Sequence, residues 1–308
     1  MDLVTQCVAV LSVVPPRDAV ATAQRVVDAM GTDRTEPLYL FDLNAVSPAT
    51  CRQIESLVER SGKPVRLVDG CLLGGPPKQV PEPSAASPSS GPVGEQPHRQ
   101  QSTPSAAGQI WTERAPSSGW TLPGIPISGP HSTDLDSPSA AHAEPVQALC
   151  ASLGMYSLDA SIGSASALKM CFASLAKGLA AIALQSFTTA HRLGLLPHLR
   201  RELASRLPAH LAMAERTVVG VPPKAYRWIR EIDEIDDTFR RDGGFSFAGR
   251  GATDGGGMFA GAADVFRAVA EDTVLGEERV GRRKRGTSVE DVAEAMVEGL
   301  ARKRKKTE

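Results

Sequence analysis

The sequence lacks most of the groupings that announce a chemistry. Its five cysteines, Cys7, Cys51, Cys71, Cys150 and Cys171, are odd in number and scattered, with no Cys-x-x-Cys pair, which speaks for free thiols in a reducing compartment. None of the six histidines forms a metal-ligand pair, His191 and His198 being seven residues apart on separate turns. No Ser/His/Asp or Cys/His grouping has motif-like context, so metal sites and hydrolase chemistry are set aside. A formal net charge of -1 over 308 residues gives no general pull toward nucleic acid or acidic membranes. Residues 1–14 lack the basic start of a secretory signal and run directly into a Pro-Pro turn. The apolar run from Ala165 to Leu184 is interrupted by Lys169 and Lys177, so it reads as a core helix rather than a membrane span. These absences describe a soluble, cytoplasmic protein.

What is present begins with alternation. Cys7 to Val14 is a β-branched apolar run closed by Pro15-Pro16, and Arg17 to Met30 has helical spacing at Ala21, Val26, Val27 and Met30. Strand signals return at Leu38 to Leu43 and Val65 to Val68, with a helical Pro48 to Ser61 between them. Strand, helix, strand, helix, strand implies a parallel sheet. Residues 76–119 then hold nine of the 23 prolines with many serines and glutamines, a composition that cannot repay its ordering entropy and is expected to be a disordered insertion. Sheet-forming sequence resumes at Trp120 to Pro130, and Met155 to Leu158 supplies a last strand. From Ser161 onward the patterns are helical, with breaks at Gly194, Pro208, Gly220 to Pro223 and a glycine cluster from Gly243 to Gly261. The cluster lacks the Gly-Lys-Ser/Thr ending of a phosphate loop and comes after no strand, so it reads as a flexible loop between helices.

Gly163-Ser-Ala-Ser-Ala-Leu-Lys169, opening a long and nearly apolar helical segment, is the most informative stretch. Burial disfavours a charged ammonium and moves its pKa toward neutrality, where the group can both take and give a proton. The simpler fate of such a lysine is to snorkel to water. Ala173, Ala176, Ala180 and Leu184, spaced beyond it at steps of three and four, offer no polar surface and favour the acid/base reading.

This stretch resembles the head of the helical domain in the β-hydroxyacid dehydrogenase superfamily. Leu11-Ser-Val-Val-Pro-Pro-Arg-Asp-Ala19 and Asp42-Leu-Asn-Ala-Val-Ser-Pro48 resemble late strand ends of that superfamily's Rossmann domain. Val68-Asp-Gly-Cys-Leu-Leu-Gly-Gly-Pro-Pro77 and Ile127-Ser-Gly-Pro130 resemble its next strands. Together with Tyr226-Arg-Trp-Ile-Arg-Glu-Ile-Asp-Glu-Ile235 and Gly261-Ala-Ala-Asp-Val-Phe266, they look most like 6-phosphogluconate dehydrogenase-like proteins with a variant C-terminal domain. The resemblance implies an α/β fold. A partial Rossmann domain over 1–75 and 120–160 carries the 76–119 insertion, and an all-α 6-phosphogluconate dehydrogenase C-terminal-like domain over 161–300 leads to a basic tail at 301–308.

The activity implied is hydride transfer from a small hydroxy acid to NAD or NADP, with Lys169 as catalytic base. Val14, Pro15, Pro16 and Asn44 would then meet the nicotinamide, and Asn44, Ser47, Gly74, Gly75 and Lys177 the substrate. Ser47-Pro48 is explained equally by capping of the helix from Pro48. A homodimer through the helical domain is also implied. Ala173 stands where an asparagine is common and Leu73 where a serine is. Ala176 and Lys177 stand where an acid and a tyrosine meet a sugar phosphate, so 6-phosphogluconate itself is not expected and Lys177 is left for another anionic substrate.

No Gly-x-Gly-x-x-Gly turn precedes Val14, so the loop that brings backbone amides to a pyrophosphate is missing from the segments that show the resemblance. By that resemblance the chain begins near the fourth Rossmann strand. The alternatives are a start assigned late, an inactive scaffold or interaction protein, and strands supplied by a partner. An uncovered first strand would also make the chain poorly soluble.

Trp228, Ile232 and Ile235 read as core, and Glu231 and Glu234 as surface partners of Arg227 and Arg230. The runs Arg282–Arg285 and Arg302–Lys306 have no interleaved aromatics, which argues against nucleic-acid binding.

Overall fold

A computed structural model describes residues 3–31, 34–79, 119–133, 135, 144–246 and 257–307. The chain divides into two compact units, one of 1–72 with 125–308 and one of 73–124. Residues 247–256 of the glycine-rich loop expected from Gly243 to Gly261, and nearly all of the 76–119 insertion, lie outside the described residues.

In the larger unit a short helix α1 (Leu3–Gln6) leads into β1 (Ala9–Ser12), and Pro15-Pro16 ends that strand. Helix α2 (Ala19–Ala29) comes next, burying Ala19, Ala23, Val26 and Val27. The expected Ala21 faces outward instead, because the helix takes its phase from Ala19. Strands β2 (Leu38–Asp42) and β3 (Val65–Gly70) flank α3 (Pro48–Ser61). Ser47 caps α3 by accepting from the Thr50 amide, Pro48 occupies the first turn, and Gly62 ends it in the left-handed conformation at φ 63°.

The five-stranded sheet has the order β1-β2-β3-β6-β7, with β6 at Ile125–Ser128 and β7 at Met155–Ser157. β1, β2 and β3 run parallel, as do β6 and β7, but β6 is antiparallel to β3. The sheet is therefore parallel-dominated rather than all parallel.

Alternation along β2 sends Leu38 and Leu40 into the core under α2 and α3. Tyr39 and Phe41 enter the opposite core, covered by Val146 and Cys150 of α5 (Glu144–Leu153). All five residues of β2 are buried, as befits an interior strand covered on both faces. The short helix α4 (Pro130–Thr133) comes just after β6.

From Ser164 the chain is helical. α6 (Ser164–Arg192) is the axis around which α7 (Leu196–Arg206), α8 (Pro208–Gly220), α9 (Ala225–Arg241), α10 (Met258–Arg267) and α11 (Val289–Thr307) are assembled. Leu184, Phe187, Ile232, Ile235, Phe266 and Val292 centre their common core. Among the described residues α6 alone is long and apolar enough to cross a membrane, but half of its most apolar window is buried within the protein. The expected basic tail continues α11 as far as Thr307, and Lys303 pairs with Asp272.

In the 73–124 unit, Leu73 bridges Gly124, and β4 (Lys78–Gln79) pairs antiparallel with β5 (Trp120–Thr121).

Candidate active site at the strand ends and the head of the long helix

Four residues in register cross the sheet at its strand ends: Ser12 beside Asp42, Asp42 beside Asp69, and Asp69 beside Ser128. All four are buried. Each continues the alternation of its own strand, so a polar row replaces the apolar one where the core under α3 meets the start of α6.

Asp69 is the most heavily engaged member. Its Oδ2 accepts from the amides of Gly163 (3.0 Å) and Ser166 (3.1 Å) and from Ser128 Oγ (2.9 Å), while Oδ1 accepts from Ser166 Oγ (2.6 Å). Ser128 Oγ in turn accepts from the Ala165 amide at 3.0 Å. The first turn of α6 is thereby satisfied from the sheet, because its N-cap, Gly163, has no side chain with which to cap it. Gly163 sits at φ 99°, and a Cβ there would stand 3.1 Å from Pro48 Cβ, so backbone conformation and close packing both select glycine. Burial raises the Asp69 pKa, opposed by the hydrogen bonds from Ser166 and Ser128.

One turn beyond Ser166, Lys169 reaches back to the same strand end and donates from Nζ to the Leu72 carbonyl at 2.6 Å. Its pKa is lowered, first by burial and then by Lys177, with Cys71 and Glu231 pulling the other way and Arg227 adding to the lowering. Ala173, Ala180 and Leu184 on its face are buried but Ala176 is exposed, which sets Lys169 at the rim between the packed and open faces of α6. The neighbouring Cys71 thiol is pushed up to about 12 by burial and stays neutral.

Lys177, two turns along, is buried and pairs with Glu231 at 2.9 Å, with Nζ 5.6 Å from the centre of the Trp228 ring. Trp228 meets Phe266 edge to face at 5.3 Å, as part of the helical core. Glu234 is buried: Oε2 accepts from the Ser47 amide (2.9 Å) and Thr50 Oγ1 (2.8 Å), and Oε1 lies 2.9 Å from Arg230. The surface assignment of these two acids is thus corrected. Only the Arg230 partner agrees with it, because α9 lies over the start of α3 and turns Glu234 toward the Ser47 amide and the Thr50 hydroxyl there.

Asn44 is also fully committed. Its Oδ1 accepts from the Val14 amide at 2.6 Å, and Nδ2 donates to Ser12 Oγ at 2.9 Å and to Asp42 Oδ1. Ser47 performs its capping role and donates to Asp237 at 3.2 Å. Among the expected contacts, the structure brings Val14 to Asn44 and places Lys169 and Lys177 along one helix. Gly74 and Gly75 are exposed and belong to the 73–124 unit.

The turn formed by Val14, Pro15 and Pro16 is apolar and stands at the strand ends, which fits a nicotinamide ring. It offers no cradle for the phosphates of a dinucleotide, since two of its three residues have no N–H to give.

Sequence reasoning missed Asp69, Ser128, Ser166, Asp42 and the Leu72 carbonyl. The available signal was an aspartate breaking the apolar alternation at the end of two successive strands. Beside this site, a charged cleft of about 400 Å³ between α3 and α9 is lined by Thr50, Gln53, Arg230, Asp233, Glu234 and Arg241, among others, and does not reach Lys169.

Residues 190–269 match the model of a family described as a domain of unknown function, DUF1932. That span contains Tyr226–Ile235 and Gly261–Phe266, two of the segments on which the resemblance rests. No curated protein matches the sequence.

Among solved structures, a conserved hypothetical protein from Sinorhizobium meliloti 1021 is 17% identical. The alignment covers 97% of this chain and 76% of that one, at a TM-score of 0.53. A 3-hydroxyisobutyrate dehydrogenase of Mycobacterium tuberculosis, solved with L-serine, is 15% identical over 96% of this chain and 80% of its own, at 0.48. A conserved protein of unknown function, described as structurally similar to 3-hydroxyacid dehydrogenases, is 19% identical over 86% and 76%, also at 0.48. The similarity to the Sinorhizobium meliloti protein is a likeness of fold. The fold is a parallel-dominated sheet succeeded by a helical part built on one long helix.

Proposed function

We propose that the protein is an oxidoreductase of the β-hydroxyacid dehydrogenase type, acting on a small hydroxy acid with NAD or NADP, and that Lys169 moves the proton. The observation that carries this reading is the placement of Lys169 at the rim of the strand ends, its Nζ held by the Leu72 carbonyl and its pKa lowered by burial. A neutral Lys169 takes the hydroxyl proton of the substrate as the carbonyl forms, and the Leu72 carbonyl holds Nζ in place until then. When bound, the nicotinamide supplies the hydride acceptor, and Val14, Pro15 and Pro16 are the residues that would hold its ring. Lys177 is paired with Glu231, so it contributes a balanced charge to the site rather than a free anion receptor.

The reading includes a soluble, cytoplasmic protein that dimerises through its helical part. Phe172, Leu175 and Ile182 support the dimer: they stand outward along α6, Leu175 at 77% exposure, in a stripe that a second copy would cover.

A second reading, a non-catalytic scaffold, is favoured by one specific observation. Asn44 spends all its hydrogen-bonding groups on Ser12, Val14 and Asp42, and the described residues hold no phosphate cradle. Titration with NADPH and NADH by nicotinamide fluorescence, with turnover of a panel of small hydroxy acids measured next, separates the two. Binding with turnover that Lys169→Ala abolishes supports the enzyme. Absence of binding to both nucleotides supports the scaffold.

A further inference from the structure

We infer that Asp69 is the positioning residue for Lys169, setting the lysine through the first turn of α6 without touching it. The inference rests on the reading of Lys169 as the proton-transfer group.

Two rungs join β3 and the segment just after it to α6. Asp69 holds Ser166, and three residues further along each segment the Leu72 carbonyl holds Lys169. A step of three residues is almost one helical turn, so Ser166 and Lys169 lie one above the other on the same side of α6. Fixing Ser166 at both amide and hydroxyl therefore fixes both the height and the rotation of the turn that presents Lys169. The Gly163 amide, bound to the same Oδ2, removes the remaining freedom at the helix start.

No other described carboxylate takes part in this cap, and the N-cap residue has no side chain. A carboxylate at the positive end of a 29-residue helix is also favoured by the helix dipole. The charged and titratable groups that face Lys169 are Cys71 from the strand end, Lys177 from its own helix, and Arg227 and Glu231 from α9. Asp69 bonds to Gly163, Ser166 and Ser128 while Lys169 bonds to the Leu72 carbonyl, so the influence inferred for Asp69 is mechanical, through the turn it holds.

The test is competitive acylation of the intact protein across pH, with labelling at Lys169 read by mass spectrometry, in the wild type, Asp69→Asn and Ser166→Ala. Positioning predicts that both variants raise the Lys169 titration toward that of surface lysines and label it several-fold faster at a fixed pH above its titration. Asp69→Asn should show the larger change. Loss of a direct anionic neighbour would move the titration the other way, since removing a negative charge lowers an ammonium pKa. Circular dichroism melts establish that each variant is folded, and Ser166→Ala, which keeps the carboxylate, carries the test if Asp69→Asn is not. An unchanged labelling rate at high pH in the folded variants overturns the positioning role. A wild-type Lys169 that titrates with the surface lysines overturns the proton-transfer reading, while the labelling rates still decide whether Asp69 holds the turn.

Discussion

Asp42 and Asp69 occupy the same height on neighbouring strands, point to the same face and are equally buried, yet the protein treats them in opposite ways. Asp69 receives four hydrogen bonds and anchors a helix. Asp42 is bonded through Oδ1 to Asn44, while its Oδ2 is buried with no partner. Its pKa is raised to about 7, chiefly by burial and further by Asp69, against the opposing hydrogen bonds from Asn44. The difference lies in the segment packed against each carboxylate. The start of α6 delivers amides to Asp69, whereas Asp42 meets only the compact Asn44 turn. Burial raises the pKa of both carboxylates, but at Asp69 donors from two segments converge to oppose it, where Asp42 has Asn44 alone.

The largest expected effect comes from removing the engaged member. Asp69→Ala leaves the amides of Gly163 and Ser166 and the hydroxyl of Ser128 without their acceptor in a dry site, and should cost on the order of 3–5 kcal/mol in urea unfolding. A loss below about 1 kcal/mol would mean that water or a neighbour replaces the carboxylate, and the contrast between the two aspartates would collapse.

Asp42 should behave with the opposite sign. Its folded pKa of about 7 stands above the ordinary value of 3.8, so the native state holds its proton more tightly than the unfolded chain does. Its contribution is fully favourable below about pH 4 and is lost as pH rises through 7. Asp42→Asn, which cannot ionise, should stabilise the protein at pH 8 by up to a few kcal/mol and change it little near pH 4. Urea midpoints of both proteins across this range check the expectation, and a variant destabilised at pH 8 contradicts it.

A comparison of lysines sharpens the same lesson about partners. Glu231→Gln strips Lys177 of its partner in a largely buried position, and a loss of about 2–4 kcal/mol in urea unfolding is expected. Lys177→Met leaves Glu231 unpaired in turn and should cost a similar amount, and by removing a like charge near Lys169 it should raise the Lys169 titration. The smallest effect is expected at the cap of α3. Ser47→Ala should cost about 1 kcal/mol, because Glu234 continues to hold the Ser47 amide.

Much of this arrangement was legible in the chain, unevenly. The bounds of α3 come from Ser47-Pro48 at one end and Gly62 at the other, signals confined to a few neighbouring residues. The importance of Lys169 was legible for a similar reason, since a lysine in an apolar helical run is a local anomaly. Glu234 was not. On α9 it is one of several acids at helical spacing beside arginines, and nothing nearby distinguishes it from Asp233, which is half exposed. Its burial depends on Ser47 and Thr50, more than 180 residues away in sequence. Asn44 was noticed as a polar residue at a strand end, but its engagement with Ser12 and Val14 depends on the register between β1 and β2.

By itself the sequence determined the alternation of strands and helices, the helical second half and the lysine at its head, because hydrophobic period, proline, glycine and capping residues act over one or two turns of chain. Only the tertiary structure decided which carboxylates were satisfied and what each lysine faced. Solvation and hydrogen bonding at those sites are supplied by segments distant in sequence, and β3 meeting α6 is what distinguishes Asp69 from Asp42.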